Sequence, residues 1–318
     1  MAVFTELSLG MAQHLGRLHS LPPIVRVVPV AAGSVNSNFF IDSHDSRWFV
    51  RVYEEQGVEG VAYEWALLSH LAEAALPVPR RVPGSEPGEA RVGGKPAAVF
   101  DLVGGTESCQ AGVTPARAEA VGALLAQAHL AAADFPWRRQ GRFGLRDISV
   151  RLDTVEAVGD AALPLARLRA VLEEVDAPWP GHVPLGVIHG DLFRDNVRWD
   201  GDRIVALIDW ESASDGVLVY DLAVTVLAWC YGADMSWDLA RAMLRGYGAV
   251  RPVTDPEWAA FRKAALTAAL RFTATRITDF TLRRGSGDFV FKDYRRFLAR
   301  LEVVSALSPD DLARRLGA

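Results

Sequence analysis

Residues 187–210 read Val187-Ile188-His189-Gly190-Asp191-Leu192-Phe193-Arg194-Asp195-Asn196-Val197-Arg198-Trp199-Asp200-Gly201-Asp202-Arg203-Ile204-Val205-Ala206-Leu207-Ile208-Asp209-Trp210, and the fold turns on this stretch. The apolar runs Leu185–Ile188 and Ile204–Ile208 have the length and branching of buried strands, and each delivers a carboxylate at its end. Asp191 stands just past the first run, Asp209 closes the second, and Asn196 lies between them. The pattern predicts strand, loop and strand, with Asp191 and Asn196 on one loop and Asp209 on the hairpin that follows.

His189, Asp191 and Asn196 fit the spacing H-x-D-L-x-x-x-N. The segment resembles the catalytic loop of protein-kinase-like phosphotransferases, with Asp209 in the place of their D-F-G aspartate. Moving a phosphoryl group from ATP to a hydroxyl needs a carboxylate beside the attacking oxygen. It also needs hard oxygen ligands that hold Mg²⁺ against the phosphates. Asp191 is the candidate catalytic base, and Asn196 and Asp209 are the candidate metal ligands. His189, one residue before the loop glycine, is read as orienting the loop through hydrogen bonds.

The rest of the composition narrows the class. The chain has 318 residues, half of them hydrophobic, enough to fill a sizeable core. A net charge of −5, with no run of five or more basic residues, excludes nucleic acid and anionic membrane as natural partners. Two cysteines, Cys109 and Cys230, make neither a disulfide framework nor a metal cluster. The N-terminus lacks the basic and apolar regions of a secretion signal, and the apolar stretch Val217–Cys230 is too short to span a bilayer and is broken by Asp221. A cytoplasmic protein is expected, without an obligate protein partner.

From the N-terminus, residues 5–19 predict a short helix with Leu7, Met11, Leu15 and Leu18 on one face, ended by Pro22-Pro23. Strands are expected at Val25–Val30, Asn38–Ile41 and Arg47–Tyr53. The turn from Ala31 to Asn38 is rich in small hydrogen-bonding residues, and Ser34, Asn36 and Ser37 are candidate contacts for nucleotide phosphates. Arg51 lies on the third strand and Glu64 on the amphipathic helix Val58–Ala74. An ion pair between them would form a strand–helix clamp with a guanidinium that can meet phosphate oxygens bidentately. A Gly/Pro-rich hairpin, Pro83–Pro96, leads into a fifth strand, Ala97–Gly105, whose backbone near Asp101 and Val103 is the expected adenine contact. The domain boundary is placed there, giving a nucleotide-binding lobe over 1–103 and a catalytic, acceptor-binding lobe over 104–318.

Beyond the boundary the pattern is helical. Thr114-Pro115 reads as a helix cap followed by proline at the first helical position, with an apolar face reaching His129, a packing or capping residue. Further helical segments are expected over 146–176, Tyr220–Tyr231, Trp237–Tyr247, Pro256–Leu282 and Lys292–Leu307, and Asp221 is read as a cap or a brace for the catalytic loop. A strand-rich first third followed by helices is an α+β, two-lobed, protein-kinase-like plan.

The order of these parts resembles the aminoglycoside phosphotransferase and choline kinase superfamily, in which H-G-D-x-x-x-x-N and I-D-W/F-E replace the protein-kinase motifs. Within it, four stretches look like the kinase-fold type of homoserine kinase. They are Gly33–Phe40; Asp191–Val197; Tyr220–Thr225 with Trp229-Cys230; and Ala269–Phe272 with Arg276–Asp279. That type tends to carry alanine at Gly190 and an aromatic stretch at Trp210-Glu211-Ser212. The resemblance implies an ATP-dependent kinase that uses Mg²⁺ to convert L-homoserine to O-phospho-L-homoserine in threonine biosynthesis. Homoserine carries a carboxylate and an ammonium, which call for a fixed arginine and an acidic or carbonyl partner. The candidates are Arg194, Asp195, Arg271, Arg276 and Asp279.

An aminoglycoside, choline or sugar is the alternative acceptor. Against polycations, residues 262–296 hold nine lysines and arginines and three aspartates, the wrong sign for binding them. Protein substrates are disfavoured, because eleven residues between Asp209 and Asp221 leave no room for a long activation segment. A nucleotide-binding pseudokinase is disfavoured by the joint presence of Asp191, Asn196 and Asp209.

Overall fold

The structure is a computed structural model that describes residues 4–30, 35–155, 162–281 and 292–318. The chain forms two units. Of the described residues, one comprises those up to Gly105 together with 205–211; the other comprises those from Thr106 to Ile204, 212–281 and 292–318. Among the described residues no helix is long and apolar enough to cross a membrane.

In the first unit, helix α1 (Leu9–Leu18) precedes strands β1 (Arg26–Val30), β2 (Ser37–Asp42) and β3 (Arg47–Val52). Helix α2 (Val58–Glu73) and strands β4 (Arg91–Val92) and β5 (Lys95–Asp101) follow. The strands make one antiparallel sheet in the order β1-β2-β3-β5-β4. Its core alternates along each strand, with Phe39 opposite Val50 and Val50 opposite Val99, packed with Leu15 and Ile24. Helix α1 starts later than the pattern suggested, because Ser8 caps it by accepting from Met11 N–H. Its buried face is therefore Ala12, Leu15 and Gly16, and Met11 is exposed. Only the tip of the expected Pro83–Pro96 hairpin pairs as strand. There Gly93 and Gly94, both at positive φ (57° and 81°), make the two-residue turn from β4 to β5.

The second unit is mainly helical. It contains α3 (Pro115–Ala131), α4 (Leu145–Asp153), α5 (Ala162–Val175), β6 (Leu185–Ile188) and β7 (Val197–Asp200). Strand β8 (Arg203–Leu207) carries the chain into the segment that belongs to the first unit. Strand β9 (Ser214–Val217), α6 (Leu218–Trp229), α7 (Trp237–Val250), α8 (Asp255–Arg276), α9 (Arg295–Ser305) and α10 (Pro309–Leu316) complete it. Instead of one helical segment over 146–176 there are two helices, and residues 156–161 lie outside the described chain. Helix α8 ends at Arg276 and passes into one wider π turn, Ile277–Thr281. Helix α10 was not foreseen, although Ser308-Pro309 marks its start in the way Thr114-Pro115 marks α3. Helices α3 and α7 approach so closely that a Cβ at Gly122 would strike the Met243 carbonyl, and one at Gly246 the Glu119 carbonyl. Helix α6 is buried along nearly its whole length, so its sequence is apolar all round rather than amphipathic.

The two apolar runs of the deciding stretch are strands, but they do not pair as one hairpin. Strand β6 runs antiparallel to β9, with Val187 opposite Asp215, and β7 and β8 form their own two-stranded sheet. The turn of that second sheet is Gly201, at φ 58°.

Candidate active site

In the first unit the site is built around Arg51. Strand β3 presents this side chain, and its guanidinium meets Glu64 of α2 at 3.2 Å and Asp209 at 3.0 Å. Burial works against the Arg51 charge, but the carboxylates of Asp209, Glu64 and Glu211 outweigh it and raise its pKa. Arg51 is therefore a fixed cation. Asp209 has φ 69°, in the left-handed region that L-residues other than Asn and Asp rarely occupy. That turn redirects the chain immediately after β8, where Leu207 N–H donates to the Pro77 carbonyl at 2.7 Å.

The turn after Asp209 is fastened to the end of the β1–β2 connection. Buried Asn36 donates from Nδ2 to the Glu211 carboxylate and accepts from Glu54 N–H at 3.2 Å, and Gln56 Nε2 donates to the Glu211 carbonyl at 3.1 Å. Ser37 is fully buried. Its hydroxyl accepts from the N–H groups of Phe4 (2.8 Å) and Thr5 (3.0 Å) and donates to Glu54 at 2.5 Å, so the side chain braces the turn. Ser34 lies outside the described residues. Asp101 ends β5 opposite Trp48 with its side chain exposed, its N–H donates to Arg80 O at 2.9 Å, and half-buried Val103 follows two residues later.

In the second unit the loop that carries Asp191 is gripped from beneath by Asp221 of α6. Its carboxylate accepts from the N–H groups of His189 (2.7 Å) and Gly190 (2.8 Å) and from His129 Nε2 (3.0 Å). Burial pushes the Asp221 pKa up, but the His129 hydrogen bond and the attraction of His129 and His189 win, leaving it below the ordinary carboxylate value. His129 is therefore more than a packing or capping residue. Its Nδ1 meets the Tyr247 hydroxyl at 2.8 Å, and Arg251 links that hydroxyl (3.0 Å) to Glu257 (2.8 Å). Gly190, at φ 73°, is held from its other end, because Arg271 Nη1 donates to its carbonyl at 2.6 Å. A side chain at this position would be strained.

Within the loop, Asp191 N–H donates to His189 Nδ1 at 3.3 Å and Asn196 Nδ2 donates to the Asp191 carbonyl at 2.7 Å. The second bond fixes the Asn196 amide with its oxygen as the remaining acceptor. Trp229 Nε1 donates to Leu192 O at 3.0 Å and secures the following residue.

The structure sorts the five acceptor candidates. Arg194 donates to the Ala228 carbonyl near the end of α6, and Asp195 is exposed. Arg271 is buried at the Gly190 carbonyl, and Asp279 sits in the π turn, paired with Arg151 at 2.7 Å. Arg276 packs against the Phe297 ring (4.5 Å to its centre), and burial, opposed by the nearby Asp191 carboxylate, lowers its pKa to about 10. It stays charged at neutral pH. Sequence reasoning missed Arg151, Glu211 and Arg300, the last of which donates to Leu227 O at 2.7 Å.

The metal implied by the motif is Mg²⁺, and Asn196 and Asp209 offer the hard oxygen donors it prefers. Among the described residues no three His, Cys, Asp or Glu side chains gather as a metal cage. Taken singly, Asn196 and Asp209 are each the kind of oxygen donor that Mg²⁺ accepts alongside substrate phosphates.

The sequence matches the phosphotransferase enzyme family (APH) over residues 26–264. It is 35% identical over 287 residues to the homoserine kinase of Methylorubrum populi, covering 88% of each chain. To the homoserine kinase of Methylobacterium radiotolerans it is 34% identical over 309 residues, covering 95% of each. Among solved structures, the amicoumacin kinase hAmiN in complex with AMP-PNP, Ca²⁺ and Ami superposes with a TM-score of 0.67 at 14% identity, over 90% of this chain and 91% of that one. That likeness shows the fold, a protein-kinase-like arrangement with an antiparallel N-terminal sheet and a mainly helical C-terminal part. With the family match spanning most of its length, the chain belongs to the phosphotransferase enzyme family.

Proposed function

We propose that the protein is an ATP-dependent kinase that phosphorylates the side-chain hydroxyl of L-homoserine, giving O-phospho-L-homoserine for threonine biosynthesis. The observation that carries this reading is identity of about one third to homoserine kinases over nearly the whole of both chains. Residues 1–103 are assigned to nucleotide binding, with Arg51, clamped by Glu64, on the phosphates and the backbone of Asp101–Val103 on adenine. Ser34, Asn36 and Ser37 are assigned to the nucleotide phosphates. Residues 104–318 carry catalysis and acceptor binding.

Asp191 accepts the proton of the attacking hydroxyl, and His189, Asp221 and Arg271 fix the backbone that presents it. Asn196 and Asp209 hold Mg²⁺, which neutralises charge on the phosphates when bound. Arg276, a charged group beside Asp191, serves the acceptor, with Arg194 and Asp195 as the loop's further candidates. A cytoplasmic setting suits the use of ATP. The test is ADP release by purified protein with Mg-ATP and homoserine, choline, sugars or aminoglycosides. Turnover led by homoserine supports the reading, and turnover led by another alcohol replaces it.

A further inference from the structure

Three arginines surround one phenylalanine in the second unit. The guanidinium carbons of Arg271, Arg151 and Arg142 lie 4.3, 5.6 and 5.6 Å from the centre of the half-buried Phe143 ring. Arg271 is 6% exposed and pairs with no carboxylate among the described residues, and its Nε is buried without a hydrogen-bond partner. Its other contacts are neutral oxygens, the Gly190 carbonyl at 2.6 Å and the Tyr220 hydroxyl at 3.2 Å. A buried guanidinium without a counter-ion is costly, and an incoming anion removes that cost. The second cation is partly accessible. Arg151 has a third of its side chain exposed and donates to Asp279 (2.7 Å) and Thr278 Oγ1 (3.0 Å).

Asp279 supplies the opposite sign. It lies in the π turn Ile277–Thr281 that interrupts the end of the α8 helical run, with 29% of its side chain exposed. Such interruptions of a regular helix recur at functional sites. The cluster therefore joins an uncompensated buried cation, a partly exposed cation and a partly exposed carboxylate. Arg271 ties it to the carbonyl of the residue immediately before Asp191.

We infer that Arg271, Arg151 and Asp279 around Phe143 form the site for the head of a free α-amino acid, the two guanidinia taking its carboxylate and Asp279 its ammonium. This deepens the proposed function and rests on it for the identity of the reacting hydroxyl. It divides the acceptor candidates: the π turn and Arg271 read the amino-acid head, and Arg276 stands beside the base. A guanidinium presents paired donors to a carboxylate, and a carboxylate accepts from an ammonium, so a molecule missing either charge leaves one partner unsatisfied.

The head site is read without phosphoryl transfer by calorimetric binding of L-2-aminobutyrate, which is homoserine without its hydroxyl. Arg151→Gln and Asp279→Asn should each weaken that binding by about tenfold or more while Mg-ATP binding is retained. In turnover, Asp279→Asn should cost homoserine more than 4-hydroxybutanoate, which lacks the ammonium. Arg151→Gln should cost homoserine more than 3-aminopropan-1-ol, which lacks the carboxylate. Both altered side chains are partly exposed, and thermal unfolding checks that the variants fold; a merely structural role would lower all acceptors together. Equal binding of L-2-aminobutyrate by wild type and both variants overturns the head site, and so does an equal loss for all acceptors. The functional reading fails separately, if wild type binds the amino acid yet phosphorylates another alcohol better than homoserine.

Discussion

Asp209 reaches Arg51 at 3.0 Å from a left-handed backbone conformation, φ 69°. The candidate metal ligand is thus held by a turn and by a cation. Asn tolerates the same conformation far better than other neutral residues. Asp209→Asn should therefore keep the fold and mainly weaken Mg-ATP use, since an amide is a poorer ligand for a hard cation. Asp209→Ala should lose stability as well. Titration of activity with Mg²⁺ and a thermal unfolding curve separate the two variants, and unchanged metal dependence in Asp209→Asn would remove the metal role.

Asp191 is the proton acceptor in this reading. Asp191→Asn should lower kcat by roughly 10² to 10⁴-fold, the range for a positioned acid–base group, with ATP affinity little changed. Steady-state rates and nucleotide binding decide it, and near wild-type turnover would exclude Asp191 from the chemistry.

The Arg51–Glu64 pair is buried, with 11% and 2% of the side chains exposed. Removing only the cation strips a buried carboxylate of its counter-charge, which costs about 3–5 kcal/mol. Arg51→Ala should lower the unfolding midpoint and raise the ATP KM. Adding Glu64→Gln should restore much of the stability and none of the ATP affinity. If the double variant is no more stable than the single one, the pair is not the source of the loss.

Acid should loosen the catalytic loop. The Asp221 pKa is lower in the folded protein than the ordinary 3.8, so its stabilising contribution is complete above that value and disappears as pH falls through the folded value. Asp42 and Glu54 shift in the same direction. Stability measured by urea unfolding should drop below about pH 4. Asp221→Asn, destabilised at neutral pH, should show a shallower acid dependence than wild type.

Acceptor reading by Arg276 is tested apart from the head site. Arg276→Ala should raise the homoserine KM much more than the ATP KM, and choline and kanamycin-like polycations should be inactive with wild type. Serine, one methylene shorter, should react slowly because its hydroxyl falls short of Asp191. Steady-state kinetics across this set checks each statement, and an unchanged homoserine KM would free Arg276 from the role.

What the sequence made legible was local or periodic. The cap at Thr114-Pro115, the alternation of β2 and β3, and the loop from His189 to Asn196 each depend on neighbours a few residues away. The Arg51–Glu64 contact was legible because kinase-like order places a strand before a helix. The pairing of β6 with β9 was not, since a short apolar run fits any partner strand and carries no mark of which one. Arg151 escaped notice, and His129 was read only as a packing or capping residue, for the same reason, because their partners lie 128 and 92 residues away. Met11 was misassigned because the small residues Ala12 and Gly16, rather than Met11, share the buried face with Leu15.

The pairing of β6 with β9 also bears on how the chain acquires its chemistry. These two strands close a loop that contains Asp191, Asn196 and Asp209. On a ribosome, the strand that carries the chain into Asp191 and Asn196 has no partner until Ser214–Val217 has left the exit tunnel, so the nascent protein stays inert while its first sheet is already complete. Closure entropy rises by only about 0.6 kcal/mol for each doubling of loop length. Extra residues inserted at the exposed Gly201 turn should therefore be inherited at little cost, which makes that turn a natural place for the lineage to vary.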